Sequence, residues 1–198
     1  YKDEFEPILR KTIELGRSFV CVEYQKEALP LMLLIKGLMH SLMLYPHAEY
    51  FIGPVSISNS YPRFFQSLMF YYLSEQCSTD FGRDLVSPRR PFVPDYLKTN
   101  PDHLLMGKMG TLEKFDKYLM RLSDNRYRMP TLVKKYVKIN SKIICFNVDP
   151  LFNYCLDGLV LLKITDFPKQ ELLMMTRDIE NPFEREKIFN RFGYSLKE

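Results

Sequence analysis

The sequence predicts an α/β fold with at least one parallel strand pair. Three observations carry that prediction. β-rich runs at 12–22, 50–58, 142–147 and 159–164 are interleaved with helical stretches. An apolar helical segment separates the first two runs, and parallel strands need such a crossover. With 198 residues and 46% hydrophobic content, the chain has the size of one domain with a sizeable core.

In chain order, residues 1–11 read as a polar approach with a short helix from Pro7. The run 12–22, T-I-E-L-G-R-S-F-V-C-V, reads as the first strand and carries Glu14 and Arg17 inside it. A charge in a buried strand needs a partner, because desolvating it alone is costly. Strict alternation puts the two on opposite faces, whereas a bulge at Gly16 puts them on one. An internal ion pair and a working site remain equal readings of that pair. Pro30 suits the first turn of a helix over 31–44, apolar on nearly every side and so expected to bury more than one face. Gly37 within it is expected to allow close approach of another backbone.

The second strand, 50–58, alternates Val55 and Ile57 with Ser56 and Ser58, and Pro54 interrupts its pairing. Ser60 and Pro62 predict the start of a helix over 61–76, whose aromatics read as core. Residues 77–110 form an irregular insertion with prolines at 88, 91, 94 and 101. In it Arg89 and Arg90 are either solvated charges or contacts to an anionic ligand. Leu112, Phe115, Leu119 and Leu122 mark an amphipathic helix, and Pro130 starts another with Lys134, Lys135 and Lys138 outward. Strands at 142–147 and 159–164 follow, the second opened by Asp157-Gly158. The remainder, 165–198, reads as a charged, weakly helical, peripheral tail.

Composition narrows the function classes. The net charge of +4 and isoelectric point near 8.8 suit an anionic partner such as a membrane surface, an acidic carrier protein or a phosphate-bearing ligand. No nucleic-acid-binding module is present, so no nucleic acid is expected. The cysteines, Cys21, Cys77, Cys145 and Cys155, form no C-x-x-C pair and read as reduced thiols of a cytoplasmic protein. The histidines His40, His47 and His103 share no metal-ligand spacing, so no metal is expected. The longest apolar run contains Lys36 and His40 and falls short of the ~20 apolar residues of a membrane span. No signal peptide precedes it, and the chain opens at Tyr1 inside patterned sequence, which suggests a fragment or a processed product.

No phosphate loop, nucleophile elbow, zinc helix or dinucleotide fingerprint occurs. Polar residues in apolar company are Glu14, Arg17, Ser56, Ser58, Asn147, Asp149 and Asp157, at strand positions or strand ends, where open α/β sheets bind ligands. Together they offer a carboxylate base, a cation and hydroxyl groups.

The segments E-L-G-R-S-F-V, G-P-V-S-I-S-N, M-P-T-L-V-K-K-Y and F-N-V-D-P-L-F-N-Y-C-L-D-G resemble one bacterial family. It comprises the N-acyltransferases of the ornithine- and glycine-lipid synthase type, often labelled hemolysins. The resemblance covers 12–164 and implies a GNAT-like domain over 1–164. That domain would have a mixed sheet with helices on both faces, lack the N-terminal part of the fold, and carry the 77–110 insertion. It implies transfer of a (3-hydroxy)fatty acyl group from acyl carrier protein to the α-amino group of an amino acid, in the cytoplasm beside the inner membrane. No permanently bound cofactor is implied; the donor is an acyl-phosphopantetheine or acyl-CoA. On this view Glu14 is the base and Arg17 binds the amino acid's carboxylate. Ser56, Ser58, Asn147 and Asp149 line the acceptor side, and Val20, Val22, Gln25 and Lys26 the donor side. CoA-using GNAT enzymes cradle a pyrophosphate on a glycine-containing turn, where this chain has Gln25-Lys26-Glu27-Ala28-Leu29-Pro30. Ala28 and Pro30 replace both glycines, and Pro30 removes a donor, which favours a carrier-protein donor. A CoA-dependent acetyltransferase of a small amine and a non-catalytic membrane-active protein are the alternative readings.

Overall fold

The computed structural model describes residues 1–16, 18–27, 29–79, 84–105 and 110–196. The main elements are β1 (Thr12–Glu14), α1 (Leu29–Leu44), β2 (Tyr50–Ile57), α2 (Arg63–Gln76), α3 (Leu112–Leu122), α4 (Thr131–Lys138), β3 (Lys142–Asp149), β4 (Cys155–Lys163), α5 (Lys169–Met175) and α6 (Pro182–Arg191). The strands form one four-stranded sheet in the order β1-β2-β4-β3. It is mixed: β1 runs parallel to β2 and β3 antiparallel to β4. The α/β class and the parallel first pair are as expected. The chain divides into two compact units, Tyr1–Glu6 with Pro54–Leu161, and Pro7–Gly53 with Leu162–Glu198.

In the first unit the sheet alternates as its sequence does. Val55 and Ile57 of β2 and Leu156 and Val160 of β4 are buried against Leu68, Met69, Tyr72 and Leu73 of α2. Phe115 and Leu119 of α3 and Val133 of α4 complete this core, with the Phe115 ring stacked 4.1 Å from that of Tyr72. Each such side chain contributes about 1.5–3 kcal/mol by leaving water. Thr111 caps α3 by accepting from the Lys114 amide. Asp116 then accepts from the Met129 amide at 2.6 Å and the Lys134 ammonium at 2.9 Å, joining the start of α4 to α3.

Two boundaries differ from expectation. Ser60 does not cap a helix at 61. Its amide donates to Ser58 Oγ instead, making a turn, and α2 begins at Arg63 after Pro62. Asp157-Gly158 is not the turn before the last strand. β4 starts at Cys155, and the reversal falls at Asn153 and Tyr154, both left-handed with φ of 51° and 52°. Gly158 lies inside the strand, where an added Cβ would press on Ile143 and Phe146.

The 77–110 insertion latches onto the outer edge of β3. The Ile143 amide donates to the Cys77 carbonyl at 2.8 Å and the Val148 amide to the Arg90 carbonyl at 2.9 Å. Both contacts cover groups that an edge strand otherwise leaves open. A cleft of about 380 Å³ lies beside them, lined by Phe70, Ser74, Glu75, Pro88, Pro91 and Cys145 among others.

In the second unit the expected strand over 12–22 ends at Glu14. Thr12, Ile13 and Glu14 pair with Tyr50, Phe51 and Ile52, and a last bond runs from the Leu15 amide to the Ile52 carbonyl at 2.7 Å. Val22 falls in a one-turn 3₁₀ helix, Val22–Tyr24. Because β1 stops before Gly16, the expected bulge is not formed there, and Arg17 lies outside the described residues. α1 forms where expected but does not bury several faces. Met39 and Leu42 are buried, whereas Leu29, Leu33 and Leu44 are more than half exposed. Among the described residues, no atom outside its own helix comes within 4 Å of a Cβ built at Gly37, so the expected close approach is not seen there. The helix meets α6, and Lys36 pairs with Asp178 at 2.5 Å. Residues 165–198, read above as a tail, supply Phe167, Leu172, Ile188, Phe189 and Phe192 to this unit's buried set. Among the described residues no helix is long and apolar enough to cross a membrane.

Candidate functional site

The residues singled out for chemistry fall into two groups, one in each unit. In the second unit Glu14 ends β1 with an exposed side chain, in register with Ile52. The backbone just beyond it comes close to β2: a Cβ built on Gly53 would lie 2.6 Å from the Leu15 carbonyl oxygen. Only glycine at 53 lets the two chains meet so closely. The parallel pair therefore ends in a tight crossing, after which residues 16–21 carry no regular secondary structure where described. Val20 is half-buried, and its carbonyl accepts from the Gln25 side-chain amide at 2.9 Å, which folds the loop back on itself. Val22 is 77% exposed, and Lys26 is exposed as well. Phe19 and Tyr24 add exposed rings to the same stretch.

In the first unit the polar group is assembled by strand alternation. On the face of β2 opposite Val55 and Ile57 stands Ser56, and its hydroxyl donates to Asp157 Oδ1 at 2.6 Å. The Cys155 thiol donates to the same oxygen at 3.1 Å. Across the β3–β4 ladder Asn147 faces Asp157, and Asp149 faces Cys155. Directly opposed residues share a face, so Ser56, Cys155, Asp157, Asn147 and Asp149 lie on one side of the sheet. Cys155 is buried, and burial first, then its contact with Asp157, pushes its thiol up to about 12. At neutral pH it is a protonated donor, not a nucleophile.

Of the four residues expected on the acceptor side, Ser56 is thus the one bonded to another polar side chain of this face. Asn147 Oδ1 accepts from the Arg90 amide at 2.9 Å and so holds the insertion. Asp149 accepts from the Leu151 amide at 2.8 Å and caps the turn into the β3–β4 connection. Ser58 is exposed and shares a hydrogen bond with Ser60 at 2.9 Å. Among the described residues no cluster suited to a metal ion is present.

Comparison with known proteins gives two relatives of named activity. Over 155 residues the chain is 30% identical to the glycine N(alpha)-acyltransferase of Bacteroides thetaiotaomicron, a match covering 74% of this chain and 44% of that protein. It is 29% identical over 147 residues to the glycine N(alpha)-acyltransferase of Phocaeicola vulgatus, covering 68% of this chain and 42% of the relative. The chain is similar to acyltransferases. It spans less than half the length of the curated relatives it matches. No protein-family model matches it, and no solved structure does.

Sequence reasoning left two features of these groups without a role. Asp157 stood among the polar residues in apolar company, yet its partner Ser56 is 101 positions away and no local pattern marks the pair. The Gly53 crossing has a visible signal in the sequence, a glycine followed by proline inside a strand.

Proposed function

We propose that this chain carries part of an N-acyltransferase that moves a (3-hydroxy)fatty acyl group from acyl carrier protein to the α-amino group of glycine or a similar amino acid, in aminolipid synthesis. The observation that carries this reading is the similarity to two proteins named glycine N(alpha)-acyltransferase, at 30% and 29% identity across most of the chain. Two structural features support it. The β1–β2 pair stops at Glu14 and Leu15, and backbone amides beyond a strand end suit the oxygen of a thioester. Within the first unit, the Ser56–Asp157 face offers oxygens to an amine.

The reaction needs a neutral amine, and Glu14 at the strand end is the base of this reading. Arg17, outside the described residues, is assigned the amino acid's carboxylate. Pro30 in the first turn of α1 and the engagement of Gln25 with Val20 leave little of a pyrophosphate cradle. A donor presenting phosphopantetheine alone fits that loop better than CoA. The exposed leucines of α1 suit work beside a membrane, where an acylated amino acid partitions.

Mass spectrometry of lipids from a host without aminolipids, expressing the full-length protein to which this chain belongs, tests the reading. The expected result is a new acylated amino acid; a loss of at least ~100-fold in a Glu14→Ala protein that still folds would mark Glu14 as the base. An unchanged lipid profile removes the acyltransferase reading. A full yield from the Glu14→Ala protein removes only the base assignment.

A further inference from the structure

Asp157 is the polar side chain of the sheet face that no role above explains. Both of its hydrogen bonds, from the Ser56 hydroxyl at 2.6 Å and the Cys155 thiol at 3.1 Å, end on Oδ1. Among the described residues Oδ2 accepts none. The Ser56 hydroxyl directs its proton at Asp157, so it presents only lone pairs to anything else. A carboxylate oxygen beside a hydroxyl acceptor is a receptor for a group rich in N–H donors and a poor one for an anion. Asp157 and Ser56 are each half-buried, which leaves them reachable while reducing competition from water. Asn147 is held by the Arg90 amide and Asp149 by the Leu151 amide, so the neighbouring polar groups are already engaged. Cys155 offers a proton and no acceptor to the same oxygen.

The geometry points to Asp157, with Ser56, as the subsite that binds the acceptor's α-ammonium and removes its proton; the inference rests on the acyltransferase reading and gives Asp157 the base's role in place of Glu14. The ammonium donates one N–H to Asp157 Oδ2 and another to Ser56 Oγ. The first proton passes to Oδ2, leaving a neutral amine and a carboxylic acid that later returns its proton to water. The amine lone pair attacks the thioester carbonyl carbon and the C–N bond forms. On collapse the C–S bond breaks, sulfur leaves with the electron pair, and the second proton lost from nitrogen converts the thiolate to a thiol. The products are an N-acyl amino acid and a free carrier thiol, with no oxidant or reductant required.

The test is acylation of glycine by the purified full-length protein to which this chain belongs, with a medium-chain acyl thioester of pantetheine and with kcat and each KM measured separately. Asp157→Asn keeps the shape and can still accept from Ser56, so it is expected to unfold within a few degrees of the parent. It is expected to lower kcat/KM for glycine by about 10²–10⁴, the range for a lost general base, while leaving KM for the thioester within about twofold. Ser56→Ala is expected to raise KM for glycine by roughly tenfold, and Ser56→Thr, which restores the hydroxyl, to recover most of that loss. A purely structural role for the pair would move both KM values together and would not distinguish threonine from alanine. Parent-like glycine kinetics in a folded Asp157→Asn protein overturn the subsite while leaving the acyltransferase reading intact. A parent protein that acylates no amine overturns both.

Discussion

The sheet face around Asp157 and the loop that follows Glu14 both carry residues suited to chemistry, but they are held in different ways. Around Asp157 four polar residues of its face are fixed by strand alternation and by named bonds: Ser56 and Cys155 to one carboxylate oxygen, Asn147 to the insertion, Asp149 to its turn. Beneath it lies the aromatic and aliphatic core of the first unit. After Glu14 the chain leaves its strand within one residue and exposes Phe19, Val22 and Tyr24. Its named tether is the bond from Gln25 to Val20. Placement to a fraction of an ångström needs a packed support, and the first region has one. A loop with few buried contacts opens at low free-energy cost, and under the proposed function that suits capture of a long, flexible acyl donor.

The largest effect that would break this contrast is in the core of the first unit. Phe115 is fully buried and stacked on Tyr72. Phe115→Ala is expected to cost about 3–5 kcal/mol in denaturant unfolding, from lost transfer and an unfilled cavity. A cost under ~1 kcal/mol would mean that the core is loosely packed, and the rigid support for Asp157 would go with it.

Cysteine labelling compares the regions within one molecule. Cys21 is exposed at the end of the loop, whereas Cys77 and Cys155 are buried. Burial is the leading cause that pushes the Cys77 thiol up to about 11 and the Cys155 thiol up to about 12. Because the thiolate is the reacting form, Cys155 is expected to alkylate with iodoacetamide at pH 8 at least ~100-fold more slowly than Cys21. The sign for stability follows: each raised thiol favours the fold below the ordinary cysteine range. That contribution is lost as pH rises towards 11 and 12. Mass spectrometry of the labelled peptides reads the ratio, and equal rates would show the polar face to be open to solvent.

A smaller effect is expected at the crossing. Gly53→Ala places a methyl 2.6 Å from the Leu15 carbonyl oxygen, a backbone atom that must shift. The expected cost is about 1–3 kcal/mol, with the displacement falling on the backbone beside Glu14. Parent-like stability and parent-like amide exchange at Leu15 would show that β1 is not held against β2 there.

The same contrast explains what was legible in the sequence. Val55-Ser56-Ile57 alternates in a strand whose one face is buried, so period and fold agree and the polar face could be read. The run 12–22 has strong β propensity, but propensity without a partner strand does not make a strand, and pairing with β2 ends at Glu14. Asp-Gly is a turn signal, yet at 157–158 the strand needed a small residue against Ile143 and Phe146, and Asn153 took the left-handed turn instead. Local pattern told which face was polar. It could not tell that Ser56 and Asp157 would bond, because that depends on which strands become neighbours.

The smallest expected effect sharpens the comparison from the other side. Leu33 in α1 is 55% exposed, although its sequence context, L-P-L-M-L-L-I-K-G-L, is apolar on nearly every side and reads as buried on more than one face. If the leucine stands in water in the folded protein, replacing it removes little apolar contact. Leu33→Ser is therefore expected to change stability by no more than about 0.5 kcal/mol, mostly through helix propensity. Under the proposed function the same change would weaken binding of the protein to lipid vesicles, because an exposed apolar helix face has something to lose only when a partner covers it. A stability loss above about 2 kcal/mol would show that Leu33 is buried in the folded protein and that α1 is packed within its own unit.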